Sequence, residues 1–166
     1  MPRFPRSLPD DVRARLDLTA REKVLAHARL TGGWAVATTY GLAVVPDDGE
    51  GLRRPWTSVG TARLDGETAT LTVEWMDAEP TALHLADAAA TRFPATLRHC
   101  VDASVVHSER VDLPGRTVVQ VALRRGADGD LFTQVIGPAG VDLDDPATAA
   151  AVDAAEHRVR EAAGLA

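Results

Sequence analysis

The chain contains no asparagine, one lysine (Lys23), one isoleucine (Ile136) and one cysteine (Cys100) among its 166 residues. A solitary Cys100 excludes an internal disulfide, so the fold must stand on its core, and a reducing compartment is permitted. No apolar run approaches the length of a membrane span. The first residues, Met1-Pro2-Arg3-Phe4-Pro5-Arg6, run into prolines and acids, so no secretory leader is expected and the expected location is cytoplasmic. There is no glycine loop of the phosphate-cradling kind, no cluster with metal-ligand spacing and no nucleophile at a recognisable distance from a base. No catalytic residue, cofactor or metal is therefore expected, and an enzyme is the less favoured class. Eighteen Lys and Arg against twenty-four Asp and Glu give a net charge of -6. Long-range electrostatics then oppose nucleic acid and anionic lipid headgroups. The scarcity of lysine, isoleucine and asparagine beside abundant alanine and arginine points to a GC-rich genome, which lowers the weight of any Arg-Arg pair.

What the sequence does hold is strand pattern. Trp34 to Val45 and Arg53 to Val59 read as two adjoining strands, a solvated loop at Pro46-Asp47-Asp48-Gly49-Glu50-Gly51 and a third edge. Thr68 to Trp75 alternates cleanly, with Leu71, Val73 and Trp75 on one face and Thr70, Thr72 and Glu74 on the other. It predicts a meander over 59–64, 67–76 and 81–86 with a tight turn at Asp65-Gly66. Pro94 is placed as the first residue of a helix carrying Leu97, Cys100 and Val101 on one face. A second meander is predicted over 104–113, 116–125 and 130–137. The last helix has Asp145 as cap, Pro146 in its first turn, a stripe of Val152, Ala155, Val159 and Ala162, and a Glu156–Arg160 pair. Near the start, Pro9 to Asp17 reads as one short helix in a loosely docked arm. Thr19-Ala20-Arg21-Glu22 fits a helix capping box, yet Val24 to Ala28 alternates and stops at Thr31-Gly32-Gly33; strand is the reading adopted.

Each candidate for chemistry competes with an ordinary structural role. Cys100 beside Arg98 and His99 has the makings of a nucleophile, but a cysteine on an apolar stripe is more often core. His84, His99 and His107 lack the local spacing of metal ligands. Asp128-Gly129-Asp130 and Asp142-Leu143-Asp144-Asp145 read as turn and cap rather than calcium loops. Glu74 and Asp77 offer carboxylates for acid-base work but fall on a wet face and in a turn. Arg53-Arg54 and Arg124-Arg125, with Trp56 or Phe132 to stack on bases, sketch a nucleic-acid surface that the acidic balance opposes. Trp34 and Trp75 are expected in the core. Trp56 follows a proline at an edge, where an exposed ring flanked by Arg53, Arg54 and Thr57 would suit a protein partner; the competing role is a lid over the barrel mouth.

The order Glu22-Lys23-Val24-Leu25, a short Gly-rich turn, Gly33 to Leu42, and the Arg-x-Trp-x-x-Val edge of Arg54 to Val59 resembles bacterial PH-like domains over about residues 18–105. The resemblance implies a split β-barrel of seven strands closed by one helix, in modules that mostly bind or scaffold. Residues beyond Val106 are similar to the tails of small proteins from GC-rich bacteria. One departure bears on lipids: the loop between the first two strands, Leu30-Thr31-Gly32-Gly33, has only Lys23 and Arg29 nearby, so a phosphoinositide pocket is not expected.

The expectation is thus an α+β protein: an arm (1–17), a PH-like split β-barrel closed by a helix (18–105), and a three-stranded antiparallel meander with a C-terminal helix (106–166) packed on it. The expected function is a non-enzymatic interaction module that binds a protein or peptide through Arg53, Arg54, Trp56 and Thr57. The alternatives are a small-molecule-binding protein or small hydrolase with a site between the halves, and nucleic-acid binding through the arginine pairs.

Overall fold

A computed structural model describes residues 7–165. The Met1–Arg6 segment, on which the expectation about a leader rests, lies outside the described residues, as does Ala166. The fold is α+β, with three antiparallel sheets, and it divides into two compact units, Met1–Asp102 and Ala103–Ala166.

The first unit opens with helix α1 (Asp10–Arg15), followed by strands β1 (Val24–Leu30), β2 (Gly33–Thr38), β3 (Gly41–Pro46) and β4 (Leu52–Pro55), which form one sheet in that order. Strands β5 (Val59–Asp65), β6 (Thr70–Trp75) and β7 (Thr81–His84) form a second sheet, and helix α2 (Arg92–Ala103) follows. The adopted strand reading of Val24 to Ala28 holds. The capping-box residues do close a turn, with Glu22 N–H donating to Thr19 O at 3.0 Å. It does not propagate into a helix. The Glu22 carboxylate is taken up by the Thr38 hydroxyl, which donates to it at 2.6 Å, and by the Arg53 guanidinium. Tertiary partners here override a local helix signal.

Every residue of β2 is buried. On one face Ala35 and Ala37, with Ala26, Ala28, Leu30 and Leu42 of the neighbouring strands, meet Val59, Leu71, Val73 and Trp75 of the second sheet and Phe93, Leu97 and Cys100 of α2. On the other face Trp34, Val36, Ala43 and Val45 pack under Leu8, Val12 and Leu16. The arm is thus not loosely docked. Its three apolar residues cover a sheet face, and Arg15 ties it down by donating to Pro46 O at 2.6 Å and Gly49 O at 2.9 Å. A strand covered on both faces reads as a continuous apolar run, which is the pattern seen from Trp34 to Ala37. Gly41 sets the approach of β3 to β4: a Cβ there would lie 1.9 Å from Arg54 O. The two sheets meet at one corner, where Leu30 bridges Leu85 and Thr31 N–H donates to His84 O at 2.9 Å. No closed barrel forms among the described residues.

Helix α2 begins two residues before Pro94. The proline still falls in the first turn, where its missing N–H removes no helical hydrogen bond.

The second unit is a meander of β8 (Val105–Leu113), β9 (Thr117–Arg125) and β10 (Leu131–Ile136), with β9 in the middle, and helix α3 (Pro146–Ala162). Val111, Leu113, Val119, Val121 and Leu123 face Val152, Ala155 and Val159 of α3. Asp145 caps the helix, accepting from Thr148 N–H at 2.9 Å. The expected Glu156–Arg160 pair is replaced by a hydrogen bond from the Thr133 hydroxyl to Glu156 at 2.8 Å, a partner across the sheet that a helix-only reading does not contain. No helix among the described residues is long and apolar enough to cross a membrane.

Candidate functional site

Of the four residues expected to contact a partner, two are buried. Pro55 ends β4, and the 3-10 turn Trp56–Ser58 carries the Trp56 ring inward, where it is 7% exposed and packs in the core. Its indole N–H donates to Thr38 O at 3.0 Å, so the ring is a core residue rather than an exposed anchor. Thr57 is buried beside it. Arg53 lies over the Tyr40 ring at 5.0 Å and donates to Leu16 O (3.0 Å), Asp17 O (3.1 Å) and the Glu22 carboxylate. Arg54 stacks 5.1 Å over Trp75 and pairs with Asp77 at 2.9 Å. Both guanidinium groups therefore hold the fold, Arg53 by fastening the stretch after α1 to β4 and Arg54 by fastening β4 to the turn after β6.

The remaining candidates disperse. Glu74 accepts from the Thr61 hydroxyl at 2.9 Å while Asp77 serves Arg54, so the two carboxylates answer to different partners. His84 exchanges a hydrogen bond with Thr70 at 3.1 Å. Asp128 and Asp142 accept backbone N–H groups two residues on, at 3.2 and 3.0 Å. Among the described residues no three His, Cys, Asp or Glu side chains gather as metal ligands. Cys100 is buried, and burial pushes its thiol above the ordinary range, which favours the unreactive protonated form. Arg124 departs furthest from its expected role as a solvated flank. It is 1% exposed, donates through Nε to Ser104 Oγ at 3.1 Å and through Nη1 to Gln134 Oε1 at 3.0 Å, and burial lowers its pKa. The Arg124-Arg125 pair accordingly presents one outward cation rather than two.

A different surface emerges where α2 crosses beside β5. This strand is an end strand of its sheet. Alternate N–H and C=O groups of such a strand point away from the neighbouring strand. Beside the helix it presents Ala62 and Leu64, and Ala62 lines open space on both sides. Two hollows result. One, of ≈ 450 Å³, lies between Leu64 and Ala62 of the strand and Pro94, Arg98 and His99 of the helix, with Leu71 in its lining. The other, of ≈ 220 Å³, lies between Gly60 and Thr61 and the helical Leu97, Val101 and Asp102. Both include Ala62, Arg98 and Asp102, so they form one continuous groove. Leu64 neighbours Pro94 while Gly60 neighbours Val101, which makes strand and helix antiparallel along it.

No family model, curated protein or solved structure matches this chain.

The groove offers recognition rather than reaction. Its lining includes the aliphatic Ala62, Leu64 and Leu71, Leu64 stands 39% exposed, and the strand beside it is an end strand with main-chain groups free of a neighbouring strand on one side. Nothing in the strand pattern singled it out beforehand. The available signal was a small residue, Ala62, paired with an outward leucine, Leu64, on a strand next to a helix.

Proposed function

We propose that residues of the first unit form a PH-like split β-barrel, and that the protein is a cytoplasmic, non-enzymatic interaction module that binds an extended segment of a partner protein. Support for the fold comes from element order: a four-stranded meander, a three-stranded meander and a helix, all contributing to one core, with the sheets joined at the Leu30–Leu85 corner. Support for the activity comes from the groove between β5 and α2, since an end strand beside an unfilled hollow accepts a further strand through main-chain hydrogen bonds while the hollow takes its side chains. The binding surface expected around Trp56 moves accordingly, because that ring is spent on the core.

A selection from a library of short random peptides tests this directly. Enriched peptides are expected to slow amide exchange at residues 60–64 of β5, and Ala62→Trp, which fills the hollow, is expected to abolish binding while leaving the thermal midpoint within a few degrees. Protection confined to other strands, or binding unchanged by Ala62→Trp, would remove the reading.

A further inference from the structure

The groove has a charge order as well as a shape, and this inference rests on the reading of that groove as a strand-accepting site. Arg98 and Asp102 lie one helical turn apart on the α2 wall, yet they make no ion pair with each other, and neither engages any other described side chain. Several other surface charges are paired, Arg29 with Asp47, Arg158 with Glu109 and His157 with Glu161. His99 lines only the wider hollow, on the Leu64 side. Cationic groups therefore sit toward the Leu64–Pro94 end, and the carboxylate sits toward the Gly60–Val101 end. The helix macrodipole runs the same way, with its positive end near Pro94 and its negative end near Asp102.

We infer that the groove recognises a charge-polarised extended segment: a bulky apolar side chain seated against Ala62, an acidic side chain on the Arg98 and His99 side, and a basic or neutral one on the Asp102 side. The apolar requirement follows from the Ala62 and Leu64 surface, which stays partly wet until something covers it. Strand periodicity sets the spacing. Residues two apart project to the same face and lie about 6.5 Å from one another, close to the roughly 6 Å rise of the four residues from Arg98 to Asp102, so alternate side chains of the segment come level with these two groups.

Fluorescence anisotropy with three labelled synthetic peptides tests it. All share an extended Thr- and Val-rich frame with a Leu next to two charged positions that lie two residues apart on one face; these are Glu and Lys, Glu and Glu, or Lys and Lys. The polarised peptide is expected to bind about threefold tighter than either uniform one for each charge corrected, the scale of an exposed ion pair, and the advantage should shrink in high salt. Arg98→Ala should erase its advantage over the Lys-Lys peptide, and Asp102→Ala its advantage over the Glu-Glu peptide. Both residues are outside the core, so neither change should unfold the protein. Equal affinity for all three peptides would overturn the charge inference and leave the strand-accepting groove standing. Failure of all three to bind, together with failure of any library-selected peptide to protect β5, would overturn both.

Discussion

At the level of single residues, the partners of Trp56 and Thr38 decide most. Trp56 was legible as an aromatic after a proline, but whether its ring turned outward depended on a carbonyl eighteen positions away, and strand periodicity says nothing of such a partner. Trp56→Phe keeps the ring and removes the N–H donor to Thr38 O. The loss should cost about 1–2 kcal/mol, read as a lower urea midpoint, because a buried carbonyl loses its partner. Peptide binding at β5 should be untouched, which separates a structural tryptophan from a contact residue. Gly41 gives a sharper case. Any Cβ there collides with the backbone of β4 rather than with a movable side chain, so Gly41→Ala should destabilise by about 3 kcal/mol, visible in the same titration. Thr38 shows why this corner is intolerant: its hydroxyl donates to Glu22 and accepts the N–H groups of Tyr40 and Gly41, both at 3.1 Å.

At the level of elements, sequence patterns performed best where one face is wet. The strands β6, β8, β9 and β10 fall within a few residues of the expected ranges, and in β6 the alternation of buried and wetter positions marks a half-buried strand directly. The segment from Thr19 to Ala28 was harder. Its helix propensity and its period-two pattern disagreed, and the disagreement is settled by Thr38 and Arg53 claiming the Glu22 carboxylate. Helix α3 was legible at both ends because its signals are local. Asp145 has its carboxyl held below the usual carboxylate range by the Thr148 backbone N–H, which is the signature of a working cap. Asp145→Ala should cost about 1 kcal/mol, measured as a shift in denaturant midpoint, with Asp145→Asn recovering most of it. The groove beside β5 was not legible, since its depth arises from what α2 leaves unfilled, and no strand carries a record of its neighbour's position.

At the level of the whole chain, net acidity combines with a set of carboxylates that are better solvated by the fold than by water. Asp47 is held low by hydrogen bonds from Arg29, Glu109 by hydrogen bonds from Arg158, and Asp65 by the backbone N–H of Thr68. With Asp145 they share one sign. A carboxyl whose folded pKa is depressed stabilises the fold fully above its unfolded value, near 4, and the benefit disappears as pH falls through the folded value. Denaturant midpoints should therefore stay level between about pH 7 and 5 on this account and decline below about pH 4. Added salt should blunt the Arg29–Asp47 and Arg158–Glu109 contributions and leave the capping ones largely intact, because the former are exposed ion pairs.

The helix that precedes β1 carries a practical lesson for anyone expressing this protein. Six residues long, it would be an easy casualty of boundary trimming. Yet Leu8, Val12 and Leu16, with Leu18 beside them, pack on the Trp34, Val36, Ala43 and Val45 surface, and all four precede β1. A shortened version starting just ahead of Val24 would carry a bare greasy plate into solvent. It should bind the dye ANS and scatter light at micromolar concentration, whereas the full-length protein should do neither.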